Sequence, residues 1–246
     1  MHDRIESLAA RIGAAARVTI LTGAGVSAAS GVPTFRGRDG LWRQHRAEDL
    51  ATPQAFRRDP ALVWEWYAWR RETIGGCRPN AAHEIIARWS QRSGCTVVTQ
   101  NVDDLHLRAG TRNLVRLHGS IWEQTCWNAC PEGAVAWRDE RQPLPEVPPR
   151  CVHCGSLARP AIVWFGESLR HEDLAAAMTA TACDVFLTVG TSSVVYPAAG
   201  LVHEARARGA FTAEINLEAT GASDGVDVAI QGGAEVVLPL IDAAIR

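Results

Sequence analysis

The sequence predicts an α/β protein, a doubly wound parallel sheet interrupted by a small inserted module. Three observations predict it. Short apolar β-type runs alternate with stretches of helical periodicity over most of the 246 residues; the first run ends in a glycine turn; and one stretch breaks the alternation with paired cysteines and a proline cluster. At 246 residues and 47% hydrophobic content the chain can bury one large core, with room for a small second unit.

Taken in order, Ile5, Leu8, Ala9 and Ile12 recur at helical spacing and precede an apolar run at 18–21, which ends in Thr22-Gly23-Ala24-Gly25. Gly23-Ala24-Gly25-Val26-Ser27-Ala28 fits the G-x-G-x-x-G/A turn, where missing side chains let a diphosphate approach backbone N–H groups at a helix start. This gives the sheet its Rossmann-like character. Residues 31–42 read as a loop, without the second strand and terminal acid that a simple dehydrogenase would show. Further strands are expected at 96–98, 115–117, 184–189, 211–215 and 226–230, and helices at 61–72, 81–90 and 203–208. The expected division is a large domain of 1–121 and 160–246, an insert of 122–159, and a small helical part around 36–75.

Composition excludes several function classes. The net charge is -2 and charged residues are 21%, so no basic excess marks a nucleic-acid or membrane-surface binder. The insert's Arg138, Arg141 and Arg150 are matched by Glu132, Asp139, Glu140 and Glu146, which argues against a zinc-ribbon nucleic-acid module. All 25 basic residues are arginine. Residues 1–16 lack the apolar stretch of a signal peptide, and the longest uncharged run, from 185 to just past 201, is broken by Gly190, Thr191, Ser192, Ser193 and Pro197. No membrane span, a cytoplasmic location and a monomer are expected.

Seven cysteines without an export signal suggest metal rather than disulfides. Cys126-x3-Cys130 and Cys151-x2-Cys154, twenty residues apart, form two knuckles able to close a tetrahedron around one zinc ion. Four thiolates leave no open coordination position, so this zinc is structural. His153, inside the second pair, is the alternative ligand. Cys77, Cys95 and Cys183 have no partner spacing.

Three polar clusters each follow a β-type run: Gln100-Asn101-Val102-Asp103, His118-Gly119-Ser120 and Gly190-Thr191-Ser192. Ligands bind outside the carboxyl ends of strands in open parallel sheets, so the three predict one polar cleft. Trp64, Tyr67, Ala68 and Arg71 share a helix face, with Tyr67 and Arg70 neighbours at i and i+3.

With these motifs, joined by Gly31-Val32-Pro33-Thr34-Phe35-Arg36, Val163-Trp164-Phe165-Gly166-Glu167 and Asn216-Leu217-Glu218, the chain resembles the sirtuins, NAD-dependent protein lysine deacylases, from Val18 to Pro239. The resemblance implies a Rossmann-like NAD domain and a smaller zinc domain, with acyl-lysine and NAD entering the cleft between them from opposite sides. The acyl oxygen would join the nicotinamide ribose, nicotinamide would leave, and the products would be free lysine and O-acyl-ADP-ribose. It implies His118 as catalytic base and Asn101 beside it. It places Gly23, Ala24, Gly25 and Ser27 on the diphosphate and adenosine side, and Phe35 and Arg36 on a cofactor loop. Gln100, Asn101, Val102 and Asp103 would meet the nicotinamide and its ribose, Gly190, Thr191 and Ser192 the phosphates, and Asn216, Leu217, Glu218 and Ala234 the adenosine end. Val163, Trp164, Phe165, Gly166 and Glu167 would pair with acylated proteins bound as extended peptides.

Within the family the chain looks most like the class III branch, because Ala51, Tyr67 and Arg70 stand where that branch selects acyl carboxylates. A succinyl, malonyl or glutaryl group ends in a carboxylate that an apolar pocket would desolvate at a cost of several kcal/mol. The Arg70 fork and the Tyr67 hydroxyl would satisfy it, at about 1.5–3 kcal/mol for each charge-assisted bond, and small Ala51 leaves room. Weaker deacetylation is expected, with Arg70 solvated. The rivals are a sirtuin acting mainly as deacetylase or mono-ADP-ribosyltransferase, and an idle NAD-sensing module. Two departures stand out: C-x3-C where the family more often has C-x2-C, and Ala161 where relatives often carry a polar residue.

Overall fold

The computed structural model describes residues 1–33 and 41–245, apart from the Leu41 side chain. Phe35 and Arg36 lie outside the described residues. In chain order, α1 (His2–Ala14) leads into β1 (Val18–Thr22), α2 (Gly25–Ala28), the short pair β2 (Leu41–Trp42) and β3 (His45–Arg46), then α3 (Ala47–Leu50), α4 (Pro53–Arg58), α5 (Pro60–Gly76) and α6 (Ala81–Trp89). Next come β4 (Cys95–Thr99), α7 (Leu105–Arg108), β5 (Leu114–Arg116), β6 (Gly119–Cys126), β7 (Trp137–Arg138) and β8 (Ala158–Ile162). The chain closes with α8 (His171–Ala180), β9 (Val185–Val189), α9 (Leu201–Ala207), β10 (Phe211–Asn216), β11 (Val228–Gln231) and α10 (Ala234–Ala244).

Six strands form one parallel sheet in the order β11-β10-β9-β1-β4-β5. Counted along the chain this is the doubly wound order 3-2-1-4-5-6, with its reversal between β1 and β9. Every residue of β1 and of β9 is buried, as strands covered on both faces must be. Helices α1, α6 and α10 cover one face through Leu8, Ile12, Ile86 and Leu238, while α8 and α9 cover the other through Ala177, Leu201 and Ala205.

A separate aromatic core joins α3, α4 and α5 to the insert through Phe56, Trp64, Trp66, Tyr67, Trp122 and Trp164. Its helices start where side chains satisfy their first N–H groups: Thr52 accepts from Ala55 N at 3.0 Å and Asp59 from Leu62 N at 2.9 Å, each followed by proline at the first helical position. The insert is built on an antiparallel sheet in the order β7-β6-β8. No described helix is long and apolar enough to cross a membrane.

The sequence pattern missed α8 and α10. Only Ala177 of α8 is buried, so it has no apolar stripe to read, and α10 carries Pro239 inside it. The expected strand at 226–230 begins only at Val228. After β8, residues 163–167 close into a turn, with Glu167 N–H donating to Trp164 O at 3.0 Å and Gly166 at φ 85°, rather than running on as a strand.

Candidate active site

At the carboxyl end of the sheet the turns after β1 and β9 interlock. Gly23 N–H donates to Val189 O at 3.1 Å and Gly25 N–H to Gly190 O at 2.8 Å. A Cβ on Gly23 or Gly25 would lie 2.8 Å from backbone atoms of Gly190, and one on Gly190, at φ 61°, would lie 2.4 Å from Val26 N. The glycines are therefore required by turn against turn, and two of the N–H groups that the motif offers a diphosphate are engaged inside the protein.

Behind this seam sits a knot of buried polar groups. Asn101, 8% exposed, donates from Nδ2 to Gly23 O at 3.0 Å and to Ser27 Oγ at 3.2 Å. Ser27 Oγ donates to Asp103 Oδ2 at 2.7 Å, and Asp103 Oδ1 accepts from Leu105 N at 2.9 Å. Burial pushes the Asp103 carboxyl above its usual range, partly offset by those two donors. His83 Nε2 lies 3.3 Å from Ser27 Oγ, and the His83 and His106 rings meet at a 59° tilt with centroids 4.9 Å apart. Burial pushes His83 down to about 4 and His106 to about 3. The sequence reading did not single out either histidine. The signal was there for His83, which sits three residues after the α6 cap Asn80 among buried Ala82, Ile85 and Ile86.

His118 follows β5 and is half-buried. Its Nδ1 lies 2.8 Å from Gln100 O, and a carbonyl can only accept, so Nδ1 carries the proton and Nε2 keeps a lone pair. Burial lowers its pKa, with the bond to Gln100 pulling the other way. On the far side Thr191 ties two strand ends together: its Oγ1 accepts from Gln100 Nε2 at 3.0 Å and its carbonyl from Asn216 Nδ2 at 3.1 Å. Ser192 is half-buried beside it, Ala234 is buried, and Leu217 (73% exposed) and Glu218 face outward.

Tyr67 and Arg70 are brought to the same region, facing inward from α5 at 2% and 5% exposure, and Ala51 is buried too. Arg70 and Asp103 are close enough for each to shift the other's titration, and burial lowers the Arg70 pKa. Arg70 is thus buried where the sequence reading expects it solvated, because α5 packs this face into the aromatic core. Burial raises the Tyr67 phenol to about 12. Its Oη accepts from Trp164 Nε1 at 2.9 Å.

Residues 163–167 are held largely by the protein itself. Val163 N–H donates to His118 O at 3.1 Å and Phe165 N–H to Ala51 O at 2.9 Å. Glu167 takes both Arg159 guanidinium nitrogens, at 2.6 and 2.8 Å, and Trp164 N at 2.8 Å. Its carboxylate is engaged within the fold.

In the insert the Sγ atoms of Cys126, Cys130, Cys151 and Cys154 all lie within 4.8 Å of one another, with closest pairs at 3.5 and 3.7 Å. Thiolates on one tetrahedral zinc are about 3.8 Å apart, so the four fit that ion. His153 turns instead to Trp137, ring centroids 5.9 Å apart. The extra residue of C-x3-C is absorbed by Ala129 at φ 49°.

The Sir2 family model matches residues 23–197, spanning both the interlocked turns and the thiol cluster. The chain belongs to the Sir2 family. Among its sirtuin relatives is a protein of Pyrobaculum aerophilum named NAD-dependent protein deacylase 2, 52% identical over 222 residues, or 89% of this chain and 87% of the relative. A solved complex of a Sir2 homologue with NAD superposes with TM-score 0.90 at 44% identity, covering 97% of this chain and 93% of that one. Sir2Af2 bound to a myristoylated histone peptide superposes with TM-score 0.80 at 32% identity, covering 100% and 97%.

Proposed function

We propose that this sirtuin is an NAD-dependent protein lysine deacylase preferring short acyl groups that end in a carboxylate, succinyl, malonyl or glutaryl, over acetyl. The observation that carries the preference is the inward-facing pair Tyr67 and Arg70 beside Asp103. An acyl carboxylate would meet the Arg70 fork with a bidentate partner and accept from the Tyr67 hydroxyl one helical turn away. The names of the relatives, NAD-dependent protein deacylases, support the broader activity.

The cleft suits a dinucleotide by its span. Polar groups at the ends of β4, β1, β9 and β10 cross three interstrand steps, roughly 15 Å, at the reversal of strand order. Bound there, NAD would supply an electrophilic ribose carbon that accepts the acyl oxygen as nicotinamide leaves. Asn101 and Asp103, fixed by Ser27 and the Leu105 N–H, would hold the nicotinamide end, Thr191 and Ser192 the phosphates, and Asn216 the adenosine end. His118 would take a ribose proton at Nε2, its ring aimed by Gln100 O. Acylated proteins would enter as extended peptides along 163–167, read through backbone groups and hence with broad sequence tolerance. The zinc module, 122–159, would serve as scaffold within a reducing cytoplasm.

The test is mass-spectrometric: a peptide carrying acetyl-, malonyl-, succinyl- or glutaryl-lysine, with and without NAD, and nicotinamide quantified alongside. One nicotinamide per lysine freed is expected. NAD binding without nicotinamide release would instead identify a sensing module, and ADP-ribose left on the protein a transferase to protein.

A further inference from the structure

Trp164 Nε1 donates to Tyr67 Oη at 2.9 Å, and this bond has a direction. An indole nitrogen can only donate, whereas a phenol can both donate and accept. Tyr67 is therefore committed as acceptor towards Trp164, and its single proton must point elsewhere. Among the described residues no acceptor receives that proton. With the ring enclosed by Trp64 and Trp66, centroids 6.2 and 4.6 Å away, the hydroxyl has little freedom to choose another arrangement.

Trp164 is itself held on three sides. The Arg159 guanidinium lies 3.6 Å over its ring, Phe56 packs against it at 5.3 Å, and Glu167 binds both Arg159 and the Trp164 backbone N–H. A cation over an indole face draws on its π electrons, which strengthens the N–H as a donor. Burial keeps the phenol protonated, so the proton is there to give.

We infer that Trp164 is a specificity-determining residue: by occupying the acceptor side of Tyr67, it makes that hydroxyl an obligate donor to an acyl carboxylate. The inference rests on the proposed preference for acyl groups ending in a carboxylate and names what enforces it. A hydroxyl fixed as donor rewards an anion and gives an acetyl methyl nothing, so the bond acts on the ratio between substrates rather than on turnover as such.

The experiment is a double-mutant cycle read as the ratio of kcat/KM for succinyl-lysine to acetyl-lysine on one peptide. Trp164→Phe keeps an aromatic ring and removes the N–H; placing β-(benzothiophen-3-yl)alanine at 164 keeps the indole shape with sulfur in place of N–H. Either replacement is expected to lower the ratio about tenfold in the wild-type background, the scale of one charge-assisted hydrogen bond, and to leave it within about twofold in a Tyr67→Phe background. Thermal melting checks folding, and if Trp164→Phe does not fold, the isosteric replacement decides. An equal loss on both acyl substrates, or the same drop without the Tyr67 hydroxyl, would overturn the inference while leaving the proposed function standing. A wild-type ratio at or below one would overturn both.

Discussion

His118 Nδ1 and the carbonyl oxygen of Gln100 stand 2.8 Å apart, which fixes the imidazole tautomer and leaves Nε2 as the only basic atom of the ring. Burial holds its pKa below the ordinary value of 6.5, so the ring is neutral and able to accept a proton throughout the neutral range. Deacylation kcat/KM should therefore be level through neutral pH and fall only as acidity protonates Nε2, with an apparent pKa below 6.5. His118→Ala should lower kcat by about 10²- to 10⁴-fold with NAD binding kept. Full activity in that variant would remove His118 from the mechanism.

The buried pair His83 and His106 predicts acid sensitivity of the fold. Their folded pKa values, about 4 and about 3, lie below the unfolded value of 6.5, so the unfolded chain takes up protons first as pH falls. The stability they confer is present above pH 6.5 and is lost as pH falls from 6.5 to about 4 for His83, by about 3 kcal/mol, and on to about 3 for His106. Asp103, whose pKa is raised, works in the opposite sense. Urea melts from pH 7.5 to 4.5 should show the loss, and His106→Asn should flatten the slope.

The seam between the β1 and β9 turns predicts what glycine does there. Gly190→Ala places a Cβ 2.4 Å from Val26 N at a positive φ, so a loss of about 2–4 kcal/mol is expected, accompanied by weaker NAD binding as the turns part. Differential scanning calorimetry and NAD titration check the two effects. A variant as stable as wild type would show that the turns do not need this approach.

In the zinc module two substitutions should act in opposite directions. Ala129→Gly relieves a left-handed backbone at φ 49° and should stabilise by about 0.5–1 kcal/mol. Gly133→Ala would set a Cβ 2.6 Å from Cys126 Cβ and 2.7 Å from Cys130 Sγ, crowding the thiol cage, so zinc should be lost faster to a chromophoric chelator. Equal chelation rates for Gly133→Ala and wild type would argue against the cage geometry.

How legible the molecule was in its sequence followed from what each residue had to satisfy. Runs such as residues 18–21 and 185–189 read as strands because parallel strands covered on both faces are mostly apolar, with buried Thr19 and Thr188 satisfied by the carbonyls of Ala180 and Ala213, and the paired cysteines read as a metal site because four thiols need a common partner. The positions of His118, Asn101 and Asp103 at strand ends followed from the motif alone. Helix α8 was hidden because it buries only Ala177, and α10 because a proline sits within it. The contacts that aim the side chains were also hidden: Trp164 to Tyr67 spans 97 positions, Ser27 to Asp103 spans 76, and no local pattern encodes such a pairing.

Whether the Tyr67 and Arg70 pair reads an acyl carboxylate is decided by comparing wild type with Arg70→Met on one peptide bearing succinyl- or acetyl-lysine. Wild-type kcat/KM should be at least ten-fold higher for succinyl, and the order should reverse in Arg70→Met, which keeps a long unbranched side chain without the charge. Preference for acetyl in both proteins would contradict that reading.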